Sequence, residues 1–197
     1  MRYAIHTKGF STSREEIRDI TTAWLLLSVA FAILLTDSIF SAGFLIAVLM
    51  AAVTVGTGFL LHELGHKLVA QHYGCHAEFR AFRGMLWLTV AMSFFGFLFA
   101  APGAVMIQGR VTKSENGRIS AMGPLMNVAL GLGFLALYLW KPLTMFQYGL
   151  SINAWLGLFN MLPFSIIDGK KIWEWNKPAY FALVLACGVL MFVANMV

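Results

Sequence analysis

SAGFLIAVLMAAVTVGTGFLLHELGHKLVAQH, residues 41–72, decides how this chain is read. No charged residue interrupts it from Ser41 to Leu61. A membrane-crossing helix needs about 20 mostly apolar residues, so the stretch is long enough to cross a bilayer and extend past it. It then runs without a proline into His62-Glu63-Leu64-Gly65-His66. Gly56, Gly58 and Gly65 along it permit close approach of neighbouring helices.

The rest of the chain agrees with a membrane setting. Its 197 residues are 59% hydrophobic and 12% charged, with a mean hydropathy of +0.76. Soluble domains run at about 45–50% apolar and about 25% charged. A core of this size cannot hide so much apolar surface from water, so lipid must cover it. Four more stretches are spans by the same rule: 20–36, 120–140, 145–163 and 178–196. The polar first 20 residues do not read as a cleavable signal peptide, so the first span is expected to serve as the insertion signal.

The net charge of +5 and pI of 9.4 do not point to nucleic acid, because the basic residues lie between apolar runs. They act as topology signals. If the ambiguous run 85–107, MLWLTVAMSFFGFLFAAPGAVMI, does not cross, every basic residue except Lys141 falls on one side, the cytoplasmic one. That run is therefore expected to be re-entrant or to form membrane-dipping strands, with a bend at Pro102 and Gly103. The Glu115-Asn116-Gly117 turn signal after it predicts a short hairpin within 104–120. The expectation is a mainly α membrane protein of about five transmembrane helices, with a small membrane-associated β region between the second and third. It forms a single domain over 1–197 with a core at about 43–170, inserted with its N-terminus cytoplasmic and suited to a prokaryotic plasma membrane. Cys75 and Cys187 make no metal-like pair and no disulfide framework.

His62 and His66, at i and i+4, share one helix face and can reach one Zn²⁺. Glu63 between them is placed to act as general base on water. From this composition the pattern is expected by chance only roughly 0.004 times. An ionisable group so close to an unbroken apolar run is a functional feature by default. A catalytic zinc usually carries three protein ligands. Glu15, Glu16 and Asp19 are N-terminal, Asp37 is on the outer connector, and Glu78, Glu115 and Glu174 lie in polar segments. Asp168 follows span four on the side where span two ends, and it is the third expected ligand, completing a site for one Zn²⁺ per chain. His6, His72 and His76 read as surface residues. Asn127 and Asn160 lie in or beside apolar spans. Each either binds the oxyanion or the substrate backbone, or is glue between helices.

At this point the sequence resembles the site-2 protease family of intramembrane zinc metalloproteases. The resemblance rests on HELGH at 62–66, GPLMN at 123–127 and NMLPFSIIDG at 160–169, in the family's order. It implies that Asp168 is the third zinc ligand and that Gly123, Pro124, Asn127, Asn160 and Pro163 occupy motif positions. Ile166 departs from the pattern, standing where members often carry a second proline. The resemblance also implies a minimal member with no PDZ or nucleotide-sensing domain. Its activity would be zinc-dependent endopeptidase cleavage of transmembrane protein substrates near the cytoplasmic face, with membrane lipid around it. The competing readings are an inactive membrane scaffold and a zinc transporter.

Overall fold

The computed structural model describes residues 10–98, 102–164 and 167–197. Arg2, His6, Lys8 and Ile166 lie outside the described residues.

Helix α1 (Arg14–Leu35) starts six residues before the apolar run does. Ser13 caps it, its Oγ accepting the Glu16 N–H at 3.1 Å, and Glu15 and Glu16 suit the positive end of the helix dipole. The decisive stretch forms one rod, Gly43–His72, made of α2 (Gly43–Ala51), a π-helical turn (Ala52–Gly56) and α3 (Thr57–His72). A π turn interrupts the regular hydrogen-bond ladder. Here the Trp24 indole N–H from α1 donates to the Ala52 carbonyl at 3.0 Å.

Strand β1 (His76–Ala81), helix α4 (Arg83–Ser93) and strand β2 (Gly103–Gln108) follow. The strands pair antiparallel, Phe79 opposite Val105. The chain therefore leaves the sheet after β1 and returns to it at β2, so the two ends of the intervening segment lie side by side. The 11 residues of α4 rise only about 16 Å, roughly half of the hydrocarbon thickness. Two expectations are corrected. The run expected to be re-entrant opens as a helix and becomes a strand only at its end. The hairpin expected within 104–120 does not form: β2 pairs back to β1, in what reads as a polar connector. The Glu-Asn-Gly turn signal lies inside α5 (Lys113–Trp140) because Thr112 and Glu115 make a reciprocal capping box that starts the helix there.

The chain finishes with α6 (Thr144–Asn160), α7 (Asp168–Trp175) and α8 (Lys177–Ala194). Among the described residues, four helices are long and apolar enough to cross a membrane: α1, the rod 43–72, α5 and α8. The fifth expected span corresponds to α6, whose 17 residues give about 26 Å of rise, a little under a hydrocarbon core of about 30 Å. Helices α3, α5 and α6 pack against one another, and α8 closes over α6.

One buried charge pair ties α1 to this core. Lys67 on α3 is 2% exposed and Glu16 on α1 is fully buried. Their Nζ and Oε2 atoms are 2.5 Å apart. Glu16 also accepts the Phe79 backbone N–H of β1 at 2.9 Å and the Thr12 hydroxyl at 2.6 Å. Removing one partner of such a pair strands the other charge, at a cost of about 3–5 kcal/mol. Lys67→Met should therefore unfold at a clearly lower temperature than the wild type in the same detergent. An unchanged melting temperature would show that the pair contributes nothing.

Candidate metal centre

His62 and His66 follow the π turn by two helical turns and face α5. They are 5% and 8% exposed. Asp168 reaches them from the first turn of α7 and is 8% exposed. Its Oδ2 lies 3.3 Å from His62 Nε2 and 3.0 Å from His66 Nε2. One ligand atom from each residue falls within 4.8 Å of the others. Its carboxylate is thus the third potential ligand, facing the inner nitrogen of each imidazole.

The outer nitrogens of both imidazoles are committed. His66 Nδ1 lies 2.8 Å from the Ile119 carbonyl oxygen. A carbonyl only accepts, so Nδ1 carries the proton. His62 Nδ1 lies 2.6 Å from Asn127 Oδ1. With protons on both Nδ1 atoms, both Nε2 lone pairs point at Asp168, as metal-ligating histidines require.

Space for an ion comes from α5. A Cβ on Gly123 would lie 2.5 Å from both His62 Nε2 and His66 Nε2. Helix α5 therefore crosses the site at a residue with no side chain, and the donor set, two imidazoles and one carboxylate, suits zinc. Close packing of α3 on α5 repeats at Gly65, where a Cβ would lie 2.9 Å from Met126 Cγ. Gly169 lets α7 press against the end of α6, since a Cβ there would lie 2.3 Å from the Met161 carbonyl oxygen.

Glu63 is half-buried on the same helix, its carboxylate against the Val105 backbone N–H of β2. The other expected residues are placed differently. The Asn127 amide is fully used: Oδ1 faces His62, and Nδ2 donates to the Gly58 carbonyl and to Asn153 Oδ1, both at 3.2 Å. It orients His62 and has no N–H left for an oxyanion. Asn160 Nδ2 donates to the Leu156 carbonyl of its own helix at 2.9 Å, and among the described residues no contact joins it to His62, His66 or Asp168. His72 is exposed, and Cys75 and Cys187 are buried free thiols. Sequence reasoning passed over Asn153, although an amide within the apolar run 145–163 carries the same signal as Asn127. It also passed over Lys67 and Glu16, whose inward orientation has no local sign.

The chain is similar to two proteins of Methanocaldococcus jannaschii. One, whose name provisionally assigns it as a zinc metalloprotease, is 39% identical over 182 residues, covering 89% of this chain and 91% of the relative. The other, named a zinc metalloprotease, is 27% identical over 158 residues, covering 78% of this chain and 40% of the relative. No family model and no solved structure matches the chain.

Proposed function

The chain belongs to the zinc metalloprotease family of these relatives, and from that premise we propose that it is a site-2-type intramembrane endopeptidase. In this reading it cuts membrane-spanning proteins near the cytoplasmic face, in regulated intramembrane proteolysis. The observation that carries the reading is the buried His62–His66–Asp168 cluster with Glu63 beside it, on a rod long and apolar enough to cross a bilayer.

Held by these three residues, Zn²⁺ supplies Lewis acidity toward the scissile carbonyl and toward water. Glu63 takes the proton from the attacking water as the new C–O bond forms. It then gives that proton to the departing amine as the C–N bond breaks. His62 and His66 direct Nδ1 at Asn127 Oδ1 and the Ile119 carbonyl, which leaves Nε2 of each to hold the ion. The three ligands are buried and Glu63 is half-exposed, so water would reach the site past Glu63.

A helical substrate hides its scissile carbonyl in i→i+4 hydrogen bonds, so it must unwind before attack. The small sheet offers a place to hold the unwound strand. In an antiparallel ladder, a residue whose N–H points away from its partner strand faces a residue that points away likewise. Phe79 and Ala81 give their N–H groups to Glu16 and Asp19 of α1, at 2.9 Å and 3.3 Å. Their partners Val105 and Gly103 therefore turn their backbone groups to the outer side of β2, as does Ile107 two residues on. The β1 edge is already taken by α1 side chains. On the β2 edge Glu63 takes the Val105 N–H, and a substrate strand can add beside it through Ile107.

The test is cleavage by the purified protein in detergent of a single-span test protein, beside a soluble peptide with the same cut sequence. Cleavage of the spanning protein, lost on chelation and restored by Zn²⁺, is expected. Cleavage of the soluble peptide alone would overturn the intramembrane reading. Ile107→Pro removes an N–H from the free edge without touching the β1–β2 ladder. It should reduce cleavage of the spanning substrate at least about 10-fold, the equivalent of one lost hydrogen bond in a productive complex, with zinc content unchanged. Unaltered cleavage would rule out strand addition at β2.

A further inference from the structure

The Asn127 amide that holds His62 is itself held, and the support runs through three helices. Asn153, on α6, donates from Nδ2 to the Gly149 carbonyl at 2.9 Å. Its Oδ1 accepts from Asn127 Nδ2 at 3.2 Å. Asn127 Oδ1 in turn faces His62 Nδ1 at 2.6 Å. Both asparagines are fully buried. Direction is set by two backbone carbonyls that can only accept: Gly58 takes one Asn127 N–H at 3.2 Å, and Gly149 takes the Asn153 N–H. That orients the Asn153 amide, which presents its oxygen to Asn127. Asn127 must then present its own oxygen to His62, which leaves the proton on Nδ1 and the lone pair on Nε2. The backbone makes room for this. A Cβ on Gly58 would lie 2.6 Å from Asn153 Oδ1, so α3 is bare where the amide enters. His66 needs no such support, since Ile119 gives it a backbone carbonyl directly.

We propose that Asn153 is a positioning residue for the metal ligand His62, acting through Asn127. A side chain one helix removed from the site thereby acts with the Gly58 carbonyl to fix which nitrogen of His62 meets the ion. The proposal rests on the zinc-site reading above. Loss of an outer partner of a metal-bound histidine typically weakens metal binding 10- to 100-fold.

The experiment is a chelator-competition titration of zinc on the full chain in detergent, for wild type, Asn153→Ala, Asn127→Ala and the double variant. Each single variant should bind zinc about 10- to 100-fold more weakly. The double variant should be no weaker than Asn127→Ala alone, because that change already cuts the chain. The visible absorption of the Co²⁺-loaded protein should shift in both single variants, which a loss of helix packing remote from the ligands would not produce. Wild-type affinity in Asn153→Ala, or losses that multiply in the double variant, would overturn the proposal. Should Asn153→Ala fail to fold, ¹⁵N-histidine spectra of the zinc-free wild type decide: a proton on His62 Nδ1 supports the relay and its absence overturns it. No zinc in the wild type would overturn the metal site itself, a result distinct from zinc binding that ignores Asn153.

Discussion

Glu63→Gln will lower cleavage of a membrane-spanning substrate by roughly 10²- to 10⁴-fold, the range for loss of a positioned general base, while zinc stays at one per chain. Glutamine matches glutamate in size and leaves the buried packing of α3 intact. It cannot take a proton from water or return one to the amine. The ligands are untouched, since His62, His66 and Asp168 make the cluster without Glu63. Zinc content and cleavage should be measured on the same preparations. Zinc in both proteins with cleavage by the wild type alone establishes the protease reading. Cleavage surviving in the variant would take the base role away from Glu63. Zinc in both with no cleavage by the wild type on several substrates would favour an inactive scaffold or a transporter.

Gly123→Ala will abolish tight zinc binding while leaving the protein folded. The new methyl would sit 2.5 Å from both ligating nitrogens, inside the space the ion needs. Neither imidazole can retreat easily, because Asn127 and Ile119 grip their far sides. Affinity should fall more than about 100-fold, beyond what loss of an outer partner does. The helix itself should tolerate the change, since alanine is a better helix former than glycine by about 1 kcal/mol. A modestly lower melting temperature of the zinc-free variant would report the strain of the methyl against the imidazoles, and a chelator titration reports the loss of the ion. Zinc bound as tightly as in the wild type would show that the ion does not sit beneath Gly123.

Much of the site could be read before any coordinates. His62, Glu63 and His66 lie on one helix, so their geometry follows from spacing alone. The spans follow from length and apolarity, because a bilayer imposes the same requirement on every helix. The one-sided placement of basic residues argued against a crossing at 85–107, and the strand pairing at its two ends agrees. Local signals failed where two of them competed. Glu115-Asn116-Gly117 is a turn by composition, yet the Thr112 cap and the apolar run behind it made it helix.

Sequence alone therefore determined the candidate spans, the paired histidines with Glu63 between them, and the candidacy of Asp168, since each is written in adjacent residues or in an ionisable group set against an apolar run. Only the tertiary structure decided that Asp168 closes on the same point as His62 and His66, and that β1 rather than a hairpin partner pairs with β2. It also decided that Glu16, Asn127 and Asn153 turn their polar atoms inward, toward Lys67, His62 and one another's helices. Those contacts join residues 26 to 65 positions apart. Hydrogen bonds of that kind depend on which helix faces which, and that is settled by packing over the whole bundle rather than by any local pattern.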